Sequence, residues 1–198
     1  MDELVRRAAA LAARGQRALL GVAGPPGAGK STLGARLVEV LSGAAVLVPM
    51  DGFHLADPQL RRLGRSDRKG APDTFDAGGC VHLLRRLRAA DEEVVWAPLF
   101  VREQEQAVAG ALAVPREVPL VVTEGNYLLL DGPFAPVRGL LDECWFLDVD
   151  PGERRRRLVA RHVRHGRTPE QAERWVAQVD EPNAVLVDGT RDRADLVV

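Results

Sequence analysis

Apolar residues in this chain gather into short unbroken runs, and the stretches between them repeat apolar positions at helical spacing. The runs at 17–23 (RALLGVA), 45–50 (AVLVPM), 119–125 (PLVVTEG) and 144–150 (CWFLDVD) predict buried strands. Residues 94–97 (VVWA) predict a short strand, and 194–198 (ADLVV) a last one. Helices are expected over 2–14, closed by Gly15, and from Lys30 to about Leu41, stopped near Gly43. Another follows a cap at or near Asp76 and runs past His82 and Leu87 to about Ala89. Asp150, Pro151 and Glu153 start a further helix; Thr168-Pro169-Glu170-Gln171 repeats the signal after Gly166. Residues 55–70 are polar and arginine-rich and read as a mobile loop.

Apolar strands alternating with helices predict an α/β fold whose parallel sheet is covered on both faces. In such sheets ligands bind beyond the carboxyl ends of the strands. Asp51, Glu124 and the glycine-rich turn after Ala23 all fall at such ends.

Length and composition narrow the classes. The 198 residues, 46% hydrophobic, suit one compact domain over 1–198 without an internal boundary. A net charge of −1 creates no field that would draw nucleic acid or a membrane surface. Aromatic residues make up 5%, too few for a base-stacking platform. No apolar run is long enough to cross a bilayer, and the first residues lack the apolar core of a secretory signal. Cys80 and Cys144 stand far apart, outside any metal-ligand spacing, and read as buried thiols in a reducing, cytoplasmic setting. Of the 27 basic residues only Lys30 and Lys69 are lysines, which singles both out.

Gly24-Pro25-Pro26-Gly27-Ala28-Gly29-Lys30-Ser31 matches GxxxxGK[ST] in full, with Thr32 next, between a predicted strand and a predicted helix. The glycines let backbone N–H groups turn inward around phosphate oxygens, and the helix start adds its positive end. Lys30 supplies a compact ammonium for the outer phosphates, and Ser31 a ligand for Mg²⁺. The fold class expected is therefore a three-layer P-loop NTPase with a central parallel sheet. No N-K-x-D guanine signature occurs, and the size does not suit a multi-domain motor, which leaves mostly kinases. Phosphoryl transfer to an alcohol needs a carboxylate near the acceptor hydroxyl, and Asp51 suits that role.

GPPGAGKST, MDGFH, RKGAPDTFD and VVTEGNYLLL, in this order, resemble the phosphoribulokinase/uridine kinase family of P-loop kinases from about Arg17 to the end. Within it the pattern is similar to type I pantothenate kinases and to small bacterial nucleoside/nucleotide or fructose-type sugar kinases. The resemblance implies ATP and Mg²⁺, a central P-loop strand flanked by the one ending at Glu124, and a helical lid at about 151–168. It implies Asp51 as general base and Glu124 as the acid that holds the metal with Ser31. Uridine kinases carry an aspartate just before the position of Pro72, where this chain has Lys69-Gly70-Ala71. Pantothenate kinases are usually much longer.

Arg154, Arg155, Arg156, Arg157, Arg161, Arg164 and Arg167 crowd the predicted lid helix and its exit, with His162 and His165 among them. Arginines there can reach the transferring phosphoryl group. Arg161 is the first candidate, then Arg157 toward the nucleotide and Arg164 toward the substrate. About half of the seven are expected to face water. No carboxylate or cysteine completes a metal site with the two histidines. For the acceptor pocket the candidates are His54, Arg68, Lys69, Asp73, Phe75, Phe100 and Arg102, the three basic ones suiting a carboxylate or phosphate. Trp96, Trp145 and Trp175 read as structural.

The expectation is a kinase that moves the γ-phosphate of ATP to a hydroxyl of a small nucleoside, sugar or pantothenate-like metabolite. The partners are that small molecule and neither nucleic acid nor membrane; a homo-oligomer is compatible with the sequence. Two other readings stay open: a nucleoside monophosphate or dephospho-coenzyme A type kinase with an anionic acceptor, and a non-catalytic nucleotide-binding regulator.

Overall fold

The computed structural model describes residues 1–198. Five parallel strands form the central sheet in the order β2-β5-β1-β6-β7. They are β1 (Ala18–Ala23), β2 (Ala45–Pro49), β5 (Leu120–Gly125), β6 (Glu143–Phe146) and β7 (Leu196–Val197). Of the three inner strands, β1 and β5 are buried at every position, as their unbroken apolar runs require. One core layer, with Leu20, Leu37 and Trp145, lies under α1 (Asp2–Ala12) and α2 (Lys30–Leu41). The other, with Leu84, Tyr127 and Phe146, includes α4 (Ala77–Ala89), whose cap Asp76 accepts a hydrogen bond from the Gly79 N–H. The P-loop strand is central and flanked by the strand ending at Glu124.

The structure departs from the sequence reading in four places. Residues 94–97 lengthen into β3 (Val94–Val101), which pairs antiparallel with β4 (Gln106–Pro115) in a separate two-stranded sheet. Pro98 made the strand look finished at Ala97; the fold absorbs it at an irregularity in the register between Ala97 and Leu99. β4, with four alanines and a glycine among its ten residues, has little strand propensity of its own and depends on its partner. Residues 55–70 are not an open loop: α3 (Asp57–Leu63) buries Leu60, carries Pro58 in its first turn and stops at Gly64 in the left-handed region. Its exposed arginines hid that pattern.

Third, Asp51 is not on a strand tip but in a 3₁₀ turn, Met50–Phe53, immediately after β2. Gly52 explains the turn's sequence, since a Cβ there would lie 2.4 Å from the Pro98 carbonyl oxygen of β3. Fourth, the predicted strand at 144–150 ends at Phe146. Beyond it, α5 (Pro151–Arg164) starts on the Asp150 cap, and α6 (Pro169–Trp175) on the Thr168–Gln171 capping box. A π turn, Val176–Asp180, joins α6 to α7 (Glu181–Asp188), where Pro182 has no N–H to continue the ladder.

Candidate active site

A cleft of about 880 Å³ opens at the carboxyl edge of the sheet. At its phosphate end Gly27 and Gly29 have φ of 81° and 97°, backbone shapes that side chains resist. A Cβ on Gly27 would also meet Leu158 of α5 at 2.9 Å, so the turn and the lid helix are in close contact. Pro26, Gly27, Gly29, Lys30, Ser31 and Thr32 line the cleft. Gly24, Pro25 and Ala28 are buried behind them and shape the loop.

Lys30 is 7% exposed, and its ammonium donates to the Pro25 carbonyl (2.9 Å) and to Asn126 Oδ1 (2.7 Å). Burial pushes its pKa down to about 8, against the pull of Glu124 and Asp51. Ser31 Oγ donates to Glu124 Oε1 at 2.8 Å. Glu124 is 5% exposed, and burial, then the neighbouring Asp51 charge, raises its pKa. A hydroxyl at the start of α2 and a buried carboxylate at a strand end, side by side, fit a hard divalent cation, which takes oxygen ligands.

Asp51 faces the same cleft with Arg102 Nη2 3.7 Å from its carboxylate. His54 lines the cleft beyond it; Nδ1 donates to the Asp51 carbonyl at 2.8 Å, and the ring packs on Phe75 (4.0 Å) and Phe100 (4.8 Å). Burial lowers its pKa. Lys69 also lines the cleft, donating to Asp57 Oδ1 and to the Glu105 carbonyl, both at 2.7 Å.

The lid arginines divide by partner. Arg154 is buried and paired with Glu181 (2.6 Å), its Nη1 left without a partner, and Arg155 shares that glutamate. Arg156 and Arg157 pair with Glu153, although Arg157 still borders the cleft. Arg161 enters the cleft without an ion-pair partner; burial, then Arg102, lowers its pKa.

The AAA-domain family matches residues 19–182 of the chain. A provisionally named uridine kinase of Schizosaccharomyces pombe is 32% identical over 100% of this chain and 89% of its own length. The chain belongs to the P-loop kinases of this family. A pantothenate kinase of Corynebacterium glutamicum is 32% identical over 66% of this chain and 42% of its own. Among solved structures, a provisionally named fructose transport system kinase of Silicibacter sp. TM1040 superposes with a TM-score of 0.86 at 37% identity, covering 94% of this kinase and 91% of that chain.

Not every expected residue of this P-loop kinase reaches the cleft. Asp51, His54, Lys69, Phe75, Phe100, Arg102, Glu124, Arg157 and Arg161 do. Arg68 and Asp73 do not: they bind each other at 2.9 Å on the outside, because the 3₁₀ turns at Ser66–Arg68 and Pro72–Thr74 turn both outward. Arg164 is exposed at the end of α5, away from the cleft. Trp175 is not merely structural. It lines the cleft with Arg167 stacked 3.8 Å above its ring, while Trp96 is exposed and Trp145 is core.

Sequence reasoning passed over Asn126, Asp57, Glu105, Asp180 and Asn183, all of which line the cleft. Asn126 carried a signal, standing two residues after Glu124 at the same strand end. The others come from α3, the hairpin tip, the π turn and α7, which no local pattern revealed. His162 bonds Asp180 at 2.8 Å, so it ties α5 to that turn. No group of three or more His, Cys, Asp or Glu side chains is disposed to hold a metal ion.

Proposed function

We propose that this P-loop kinase transfers the γ-phosphate of ATP to a hydroxyl of a small metabolite, with Asp51 as the general base. One observation carries the reading: a carboxylate beside no structural partner closer than 3.7 Å opens into the same cleft as the P-loop lysine. The backbone N–H groups of 26–32 cradle the phosphates, and Lys30 sets its charge against the outer ones. Ser31 and Glu124 would hold Mg²⁺, which when bound neutralises charge on the β- and γ-phosphate oxygens. Asp51 takes the proton of the acceptor hydroxyl as that oxygen bonds to phosphorus and the bridging oxygen leaves with ADP. Arg161, free of any carboxylate, donates to the phosphoryl oxygens in flight, and residues 151–168 act as the lid.

The anionic-acceptor alternative loses part of its support, because Arg68 pairs with Asp73 outside the cleft and Lys69 is held by Asp57. A mere regulator has no use for Asp51 in the cleft. Incubating the protein with Mg-ATP and a panel of hydroxyl compounds should yield ADP only when the right acceptor is present. Acceptor-independent ADP release, or none with any compound, would refute the reading.

A further inference from the structure

The buried positions of the π turn and α7 are Val176, Val179, Asp180, Asn183, Ala184 and Val187. A carboxylate on so apolar a face is costly unless it is partnered. Asp180 is 8% exposed and lines the cleft, yet the phosphoryl transfer proposed above does not use it. It closes the π turn, a helix irregularity frequent at functional sites.

The Asp180 carboxylate has one hydrogen-bond partner, His162 Nε2 at 2.8 Å. A carboxylate only accepts, so Nε2 carries the proton. His162 directly follows Arg161 in the last turn of α5. Little else holds that turn. Leu158 is the last buried side chain of α5, and Val163, Arg164 and His165 are exposed. Glu181 grips the helix only at Arg154 and Arg155, about 10 Å before Arg161. Beyond Leu158, the His162–Asp180 pair is the one side-chain hydrogen bond that ties α5 to the body.

Arg161 needs such a hold. It stands in the cleft with no ion-pair partner. Burial, then Arg102, lowers its pKa; of the acids that oppose this, Asp180 pulls hardest, ahead of Asp51 and Glu124. No paired carboxylate anchors the guanidinium, so a fraying helix end would let it swing out to water.

We propose that Asp180 is a positioning residue. By holding His162 it fixes the last turn of α5 and keeps the Arg161 guanidinium aimed at the transferring phosphoryl group. This rests on the kinase reading above, in which Arg161 stabilises that group.

The test uses Mg-ATP and the acceptor found with the hydroxyl panel. Asp180→Leu suits the apolar face. It should lower kcat by about 10–100-fold and leave both KM values within about threefold, since the interaction lost belongs to the transition state. His162→Phe should do the same, and the double variant should be no worse than either. Asp180→Asn, whose amide oxygen still accepts from Nε2–H, should recover most of the loss. In an Arg161→Met background, Asp180→Leu should add less than about twofold, because the side chain it positions is gone. Without any acceptor, amide hydrogen exchange over 161–167 should quicken by at least about tenfold in Asp180→Leu, with α2 unchanged. Should Asp180→Leu not fold, His162→Phe takes its place in both measurements.

The full loss persisting in the Arg161→Met background overturns the proposal, as does kcat near wild type or unchanged exchange. So does a raised acceptor KM with kcat intact, which would make Asp180 a direct acceptor ligand. No acceptor-dependent ADP from any compound overturns the kinase reading and this role with it. Turnover with any of the other results overturns this role alone.

Discussion

The two ends of the cleft are built differently. The phosphate end is a single turn between β1 and α2, completed by Glu124 and Asn126 from the adjacent strand end. The acceptor end is assembled from the 3₁₀ turn after β2, from α3 and the segment following it, and from the β3–β4 hairpin. The first is made by one turn's backbone and by side chains from the strand end next to it. The second depends on side chains that tie distant segments together. Lys69 joins α3 to the hairpin tip, and Arg17 anchors the hairpin root by donating to the carbonyls of Leu87, Arg116 and Val118. Binding of the triphosphate should therefore be robust, and the acceptor site sensitive to single changes far apart in sequence.

The largest break should come from Asp51→Asn. It should cut kcat by about 10²–10⁴ while leaving Mg-ATP affinity within about twofold; steady-state kinetics and nucleotide titration separate the two. Turnover near wild type would remove Asp51 from the base position.

Lys30→Ala tests the other end and should weaken Mg-ATP by about 10–100-fold, since it removes a charged donor. On the proposed reading it is the charged form of Lys30 that would hold the phosphates, and burial pushes its pKa down to about 8. Affinity should thus be flat below that pH and fall above it, by up to about tenfold per pH unit. Calorimetry across pH 7–9.5 reads this directly, and the alanine variant should lose the slope.

Lys69→Met sharpens the comparison. Freeing the hairpin tip should raise the acceptor KM by about three- to tenfold and leave the nucleotide KM unchanged, because the pair it breaks is partly exposed. Equal effects on both substrates would show that the ends are not independent. Arg68→Ala and Arg164→Ala, outside the cleft, should change kcat/KM by less than about twofold.

The same division governs what was legible in the chain. The P-loop, Glu124 and the strands β1, β2, β5 and β6 declared themselves because each is a local pattern: a motif, a strand-end acid, an apolar run. The hairpin and α3 did not. Pro98 and an alanine-rich stretch disguised the first, and arginines concealed the second. Arg68 and Asp73 lay in the right segment, yet they found each other before they could find a substrate. Among seven lid arginines of one chemistry, the fold consumed Arg154–Arg157 in pairs with Glu181 and Glu153 and left Arg161 free in the cleft.

The sequence by itself determined the sheet, the phosphate cradle and the identity of the acids at its edge, since these follow from residue type and spacing over a few positions. Tertiary structure alone decided which cations are already neutralised and which histidine nitrogen carries its proton. It also decided which three distant segments form the acceptor wall. Those outcomes are set by partners within about 3 Å that lie tens of residues away along the chain, and a one-dimensional pattern holds no record of them.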